Sequence, residues 1–316
     1  MVYERISTKG LSREQWLELR KTGIGGSDAG AVLGVNMYRS PLAVYLDKTS
    51  SETEPKEDNE AMRVGRDLEE YVSQRFTEAT GLKVRRSNFM YRSLKYPYLI
   101  ADIDRMVVGE EAILECKTVS AFGADGWADG DIPPSYRAQM YHYMVVTGKR
   151  RCYIACLIMG IGFVYRCLEW DDEIVKYLIK KESDFWLNYV ISNKMPPTDG
   201  SDSCDEIISG MFPRAENMDV VDLDDLEEKL VKREEILETV DELKKEASAI
   251  DQEIKLALAE REYGESGQYR VTWGNVESTR LNTKKLRSDH PEIYAEYSEK
   301  SNTRRFQIKK IQVKAA

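Results

Sequence analysis

Apolar residues recur at helical spacing from Asn59 to Thr80, through Met62, Leu68, Val72 and Phe76, and Gly81 supplies the stop. The same logic predicts a short helix over Leu11–Arg20, opened by a Ser12/Gln15 capping box, and a helix over Tyr136–Thr147 closed by Gly148. Between Gly23 and Gly26 the chain must turn tightly, after which Ser27-Asp28 is the expected cap of an apolar stretch, Ala29–Leu33. Asp171–Ile191 reads as an amphipathic helix stopped by Pro196-Pro197. Strand-like stretches lie between these helices. Leu82–Met90 is short, Tyr98–Val108 and Ala112–Val119 alternate around a tight turn at Gly109-Glu110-Glu111, and Cys152–Met159 with Phe163–Trp170 reads as a buried hairpin around Gly160-Ile161-Gly162. Ser50–Glu60 and Ser120–Pro134 read as loops.

The periodicity therefore predicts an α/β (α+β) domain over residues 1–210, a small mixed sheet flanked by helices. Residues 211–316 form a second region. There Leu226, Leu230, Leu237, Val240, Leu243, Ala247, Ile250 and Ile254 mark a long helix or helical pair with a narrow apolar seam. Beyond it the pattern predicts two short strands, Tyr269–Trp273 and Arg304–Val313, flanking a helix near Asp289–Ser298.

Composition narrows the class. Of 316 residues, 42% are hydrophobic and 32% charged, enough apolar material for a core. The first twenty residues contain no apolar signal core, and the longest apolar run, Cys152–Tyr165, is too short to cross a bilayer. Five cysteines without paired spacing read as reduced thiols in a cytoplasmic protein; Cys152, Cys156 and Cys167 read as apolar thiols rather than cluster ligands. Two histidines, His142 and His290, exclude multi-histidine metal chemistry. The net charge of −9 is concentrated: Glu216–Glu262 carries 17 acidic against 7 basic residues, whereas Arg280–Ala316 carries 10 basic against 4 acidic. The remainder can thus meet a polyanion, and the basic tail around Lys284, Lys285, Arg287, Arg304 and Arg305 is a candidate phosphate contact.

The strongest chemical constellation is Asp104 followed by Glu115-Cys116-Lys117. On a strand, the two-residue period puts Glu115 and Lys117 on one face, and Asp104 lies across the turn. Two carboxylates beside an ammonium suit Mg²⁺ and phosphodiester hydrolysis; the plainer alternative is a solvated hairpin. The apolar neighbours Ile113, Leu114 and Val119 favour the former, because a charge within a core strand needs a partner. Glu69, beside the apolar Leu68, is a further inward-facing candidate, though an ordinary solvated face explains it too. Gly23–Asp28 lacks a P-loop lysine but turns into a helix N-terminus, an anion site to which Arg20 can add a guanidinium, or simply a structural cap. Gln139 sits between Tyr136 and Tyr143 on its helix, a polar group in an aromatic stripe.

Trp16-Leu17-Glu18-Leu19-Arg20 with Gly23-Ile24-Gly25-Gly26-Ser27-Asp28, then Gly65-x-x-x-Glu69, Ala101-x-x-Asp104, Leu114-Glu115-Cys116-Lys117-Thr118 and Ala138-Gln139-Met140-Tyr141 occur in an order that resembles the YqaJ-type viral recombinases. These are relatives of lambda exonuclease in the PD-(D/E)XK nuclease superfamily, with a restriction-endonuclease-like core. The resemblance implies an exonuclease that digests one strand of linear duplex DNA from its 5′ end, leaving 3′ tails for recombination. It implies Mg²⁺, two ions with Mn²⁺ as substitute, held by Asp104, Glu115, the Cys116 carbonyl and Glu69. Lys117 would position and help activate water, with Gln139 assisting, and Arg20 and Ser27 would hold the 5′ phosphate. Implied partners are DNA ends, further copies in a ring trimer, and a RecT- or Redβ-type annealing protein, with no membrane. One departure stands out: the superfamily's Pro-Asp is Ile103-Asp104, so Asp102 competes for the ligand role, and Arg105 after Asp104 favours Asp104. An end- or structure-specific endonuclease and a non-catalytic DNA-binding scaffold are the alternatives.

Overall fold

The structure is a computed structural model that describes residues 2–51, 59–300 and 302–310. The chain divides into two compact units, Met1–Phe212 and Pro213–Ala316.

The first unit is built on a five-stranded sheet of order β2-β5-β6-β7-β8 (Val84–Arg86, Arg105–Val107, Ala112–Val119, Arg151–Ile158 and Gly162–Glu169). Only β6 and β7 are parallel, joined by α5 (Pro134–Thr147); the other pairs are antiparallel. The two-residue strand period sorts β6 between two cores. Leu114, Val107, Tyr153 and Ala155 pack with Val72 and Phe76 of α4 (Glu60–Thr80), whereas Ile113, Ile154 and Cys156 pack with Met140 and Met144 of α5 and with Val175 and Leu178 of α6 (Asp172–Phe185). Glu115 and Lys117 share the parity of Ile113 and so point toward α5. A second, three-stranded sheet pairs β1 (Tyr3–Ser7), β3 (Phe89–Ser93) and β4 (Ile100–Asp102).

The expected strand Tyr98–Val108 is two strands in two sheets, β4 and β5, separated by Ile103-Asp104. The pairing slips by one residue at this point: Arg86 faces Arg105 but Met90 faces Asp102, so three residues oppose two. That is a β-bulge whose extra residue lies in Ser87–Phe89, opposite Ile103-Asp104, where the paired segments pass from one sheet to the other. Leu82–Met90 splits correspondingly into β2 and β3.

Helix α1 (Arg13–Lys21) carries the Ser12/Gln15 capping box in both directions, at 3.2 and 2.9 Å. Helix α2 (Gly26–Val32) begins one turn earlier than expected: Gly25 is the cap, and Asp28 reaches back to accept the Gly25 N–H at 2.9 Å, so Ser27-Asp28 lies inside the helix. Gly23-Ile24-Gly25 is stitched to β4 through Ile24 N–H to Tyr98 O (2.7 Å) and Ile100 N–H to Ile24 O (2.9 Å). A Cβ at Gly23 would stand 2.6 Å from Tyr98 O, and one at Gly26 2.2 Å from the Tyr143 ring, so the close approach requires glycine at both. Two helices had not been anticipated, α3 (Pro41–Thr49), capped by Ser40, and α7 (Asp202–Met211), capped by Ser201. The segment around Trp127 forms 3-10 turns over Ala121–Gly130 rather than the expected loop. The hairpin β7–β8 forms, but Cys167 pairs with Tyr153 and so faces the side opposite Cys152 and Cys156; all five cysteines are free thiols. Of the expected loop Ser50–Glu60, residues 52–58 lie outside the described residues.

In the second unit, α8 (Glu227–Leu258) is one continuous helix, followed by a hairpin of β9 (Tyr263–Ser266) and β10 (Tyr269–Thr272) and two short helices, α9 (Thr283–Asp289) and α10 (Pro291–Glu296). Arg304–Lys310 is not a strand, in contrast to the expectation; β10 pairs with β9 instead, and residues 311–316 lie outside the described residues.

Gly26→Ala should overpack the α2–α5 contact and destabilise the protein by about 1–3 kcal/mol, the usual penalty for an added core methyl, measured by urea unfolding. An unchanged unfolding midpoint would show that Tyr143 moves freely.

Candidate active site

At the break between β4 and β5 the Asp104 carboxylate accepts the Cys116 N–H of β6 at 2.7 Å, just beyond the last ladder pair, Arg105–Leu114. Next along β6, Glu115 is buried. Its Oε1 accepts from Lys117 Nζ at 2.6 Å and from Gln139 Nε2 at 2.8 Å, and Gln139 also donates to the Tyr143 hydroxyl at 2.8 Å. The structure thus brings Asp104, Glu115, Lys117 and Gln139 together. Asp102 occupies a different place, accepting the Trp16 indole N–H at 2.8 Å.

Burial, and then the Glu115 charge, push the Asp104 carboxyl well above its ordinary range. Burial also raises Glu115, although the Lys117 ammonium opposes it. Lys117 is held protonated: burial disfavours its charge, but Glu115 and Asp104 more than compensate. Lys117 Nζ also stands 5.1 Å from the Tyr136 ring centroid. Burial drives the Cys116 thiol up, so the residue contributes backbone rather than thiolate chemistry.

Oxygen donors, crowded like charges and one unsatisfied oxygen are what a hard divalent cation would relieve. Glu115 Oε2 is buried without a hydrogen-bond partner. The residues present therefore fit such an ion. Glu69, which the family resemblance and not its position implies as a ligand, is engaged by Arg105. Its Oε1 is taken by Arg105 Nη1, while Arg105 Nη2 binds Glu70 Oε2 at 3.0 Å. Among the described residues, no three Asp, Glu, His or Cys side chains converge as a ligand cluster. The Glu69 charge is nonetheless close enough to raise Asp102, Asp104 and Glu115.

A second constellation lies at the α2 N-terminus. Arg20 Nη2 donates to Ser27 Oγ at 2.6 Å, and its guanidinium stacks 5.0 Å from the Trp16 ring centroid. Behind it, the fully buried Asp28 is held by Lys48 (2.8 Å), Arg39 (2.7 Å) and, more distantly, Arg20 (3.8 Å). Burial alone would raise the Asp28 carboxyl, but Lys48, Arg39 and Arg20 together hold it well below the usual range. Arg39 also pairs with Asp47 at 2.7 Å, so three cations meet two carboxylates and leave a net positive charge beside the N–H groups that open α2. Trp16, Arg20, Ser27, Asp102, Gln139 and Tyr143 line one pocket of about 160 Å³, in which Gln139 is the residue that also holds Glu115.

Sequence reasoning had missed Arg39, Lys48, Tyr143 and Arg105. Lys48 and Arg39 carry no local signal, since each reaches Asp28 from α3 or the loop before it. The tyrosine was legible as an aromatic stripe but not as a hydrogen-bond partner of Gln139.

Residues 15–150 match the YqaJ-like viral recombinase domain. Over 304 residues, 95% of each chain, the protein is 37% identical to the uncharacterized protein YqaJ of Bacillus subtilis (strain 168). Its fold is similar to that of LHK-Exo in complex with dAMP, with 21% identity over 57% of this chain and 93% of that one and a TM-score of 0.50. It is likewise similar to the alkaline exonuclease LHK-Exo from Laribacter hongkongensis, with 18% identity over 63% and 97% of the two chains and a TM-score of 0.50. The likeness to these two structures is one of fold.

Without metal, Asp104→Asn should be more stable than the parent, because the amide oxygen can still accept the Cys116 N–H while the buried charge is gone. The folded parent binds a proton that its unfolded chain releases, so its stability falls as pH rises above the usual carboxylate range. The gap should widen between about pH 5 and pH 8 and reach about 2–4 °C in Tm, the shift that about 1 kcal/mol causes at this size. Thermal melts in EDTA check this; a variant less stable at every pH would refute it.

Proposed function

The chain belongs to the YqaJ-like viral recombinase family, and from that premise we propose that it is a metal-dependent deoxyribonuclease digesting one strand of linear duplex DNA from the 5′ end. The observation that carries this reading is the single pocket shared by Arg20 and Ser27 at one end and Asp102 and Gln139 at the other, beside Asp104, Glu115 and Lys117. Carboxylates and lysine account for hydrolysis; the adjoining anion site accounts for dependence on an end.

Asp104, Glu115 and the Cys116 carbonyl would hold Mg²⁺, for which Mn²⁺ can substitute, and a second ion would engage Glu69. Bound there, the metal lowers the pKa of water and offsets phosphate charge. The remaining work belongs to the chain. Arg20 and Ser27 bind the terminal phosphate through charge-assisted hydrogen bonds, with Lys48 and Arg39 neutralising Asp28 behind them. That grip fixes how far the scissile ester lies from Glu115. Lys117, protonated and tethered to Glu115, donates to and orients the attacking water and lowers the cost of negative charge on the phosphate; as an ammonium it is not the base. Gln139 holds Glu115 in one rotamer, and Tyr143 holds Gln139. In the cell, the 3′ tails would pass to a RecT- or Redβ-type annealing protein, with three copies of the nuclease encircling the duplex.

Linear duplex with 5′-phosphate ends should be degraded in Mg²⁺ and spared in EDTA, while closed circles persist. Nicking of circles would instead favour an endonuclease, and full activity of Asp104→Ala would remove the mechanism. Lys117→Ala should lower kcat about 100-fold or more, as for loss of a positioned electrostatic group.

Arg20→Ala should slow phosphorylated ends about 10–100-fold, the weight of a hydrogen bond to a charged group, and hydroxyl ends much less. Equal slowing of both, measured by single-turnover release of labelled nucleotide, would detach Arg20 from the phosphate.

A further inference from the structure

Arg105 is almost fully buried, with its side chain 3% exposed, and it sits one residue after Asp104. Its guanidinium makes three contacts: Glu69 Oε1, Glu70 Oε2 at 3.0 Å, and the backbone carbonyl of Asp104 at 3.0 Å. It therefore ties α4 to Asp104 itself. Glu69 is 23% exposed and Glu70 65% exposed, so the two successive carboxylates differ in how firmly they are enclosed. A guanidinium does not release its proton in proteins, so Arg105 always needs a carboxylate partner.

Resting on the metal-dependent reading above, we infer that Arg105 is a positioning residue that competes with a divalent cation for the Glu69 carboxylate. Glu70 is the reserve partner. When Glu69 turns toward Asp104 and Glu115, Glu70 keeps the buried guanidinium paired. Without Glu70, releasing Glu69 would leave Arg105 as an uncompensated buried charge, which is costly. The device meters how many carboxylates the site presents. With Glu69 clamped, the metal-free protein avoids adding a further free anion to the crowd of Asp102, Asp104 and Glu115; with metal present, the clamp can yield.

The test is calorimetric titration of the full chain with Mn²⁺ alone, without DNA. The parent should bind and Asp104→Ala should not. If the parent binds no Mn²⁺, the metal-dependent reading fails and the inference fails with it. If the parent binds, the remaining variants judge Arg105 by itself. Arg105→Gln should free Glu69 and tighten binding about fivefold or more, a typical coupling between contacting residues, and the gain should vanish in the Arg105→Gln/Glu69→Gln double variant. Glu70→Gln, which alters no proposed ligand, should weaken binding by a similar factor, because Glu69 becomes the sole partner of Arg105. Unchanged or weaker binding by a folded Arg105→Gln, or a gain that persists in the double variant, would overturn the inference. Should Arg105→Gln fail to fold, Glu70→Gln decides: unchanged or tighter binding overturns it.

Discussion

The hydrogen bond from the Cys116 N–H to the Asp104 carboxylate joins two things that otherwise compete, a continuous β-ladder and a buried charge. The ladder between β5 and β6 stops at Arg105–Leu114, and the carboxylate takes up the next N–H in place of a backbone carbonyl. At the same point, opposite the one-residue bulge in Ser87–Phe89, the chain passes between β4 and β5 and so between the two sheets. A strand that continued regularly would keep its backbone pairing and lose the acid beside Glu115. The cost is a pair of buried carboxylates with one nearby ammonium, Lys117, and an oxygen of Glu115 left unsatisfied. Both flanking cores are tightly closed, with Ile113 and Leu114 each 1% exposed on opposite faces, so the surrounding packing can hold an arrangement that is locally unfavourable.

Strand β4 also borders the anion pocket, through Ile100 and Asp102. Strand β4 runs alongside the Gly23-Ile24-Gly25 turn, and two backbone bonds fix their separation. From the other side, His142 on α5 reaches the same strand. Its Nε2 faces the Ile100 carbonyl at 2.8 Å and its Nδ1 faces Glu182 at 2.7 Å, with both side chains fully buried. A carbonyl can only accept, so Nε2 carries a proton, and the Nδ1 contact requires another between imidazole and carboxyl. Burial opposes charge on the ring, but Glu182 outweighs it and raises the His142 pKa. This clamp joins α6, α5 and β4, the last two of which bear Gln139 and Asp102. Small shifts of β4 would therefore change the phosphate end and the carboxylate end together.

Much of this was legible in the sequence where the determinants are local. The Ser12/Gln15 box, the Gly81 and Gly148 stops and the β7–β8 hairpin each follow from a few consecutive residues. So does the shared face of Glu115 and Lys117, which needs only a two-residue period. What was hidden depends on pairing between distant segments. The bulge is a mismatch of three residues against two across a hairpin, and nothing in Ile103-Asp104 alone announces it. Gly25 displaced Ser27-Asp28 as the α2 cap because Asp28 serves two structures, accepting a helix N–H and paired with Lys48 and Arg39. Helix α3 was overlooked even though Ser40-Pro41 is a sound start signal, and with it went Lys48. Glu69 shows the limit most plainly: helical position gave it an inward direction but not its claimant, Arg105, which lies on a strand 36 residues away.

Net charge is a poor guide to what such a molecule binds, for a physical reason visible in the first unit. Around Asp28, the cations Arg20, Arg39 and Lys48 outnumber the carboxylate they surround, whereas around Asp104 the carboxylates outnumber Lys117. The pocket lined by Arg20 and Ser27 together with Asp102 therefore meets both signs of charge. A phosphate entering it is attracted at one end and repelled at the other unless a cation accompanies it. That asymmetry orients a polyanion as well as attracting it. It would hold unchanged if the chain's overall −9 were doubled by acidic residues elsewhere on the surface, because salt screens charges beyond about 8–10 Å. The acidic stretch Glu216–Glu262, 17 acidic against 7 basic residues, lies in the other unit and accounts for all of that total, so the sum reports on a different part of the chain from the pocket.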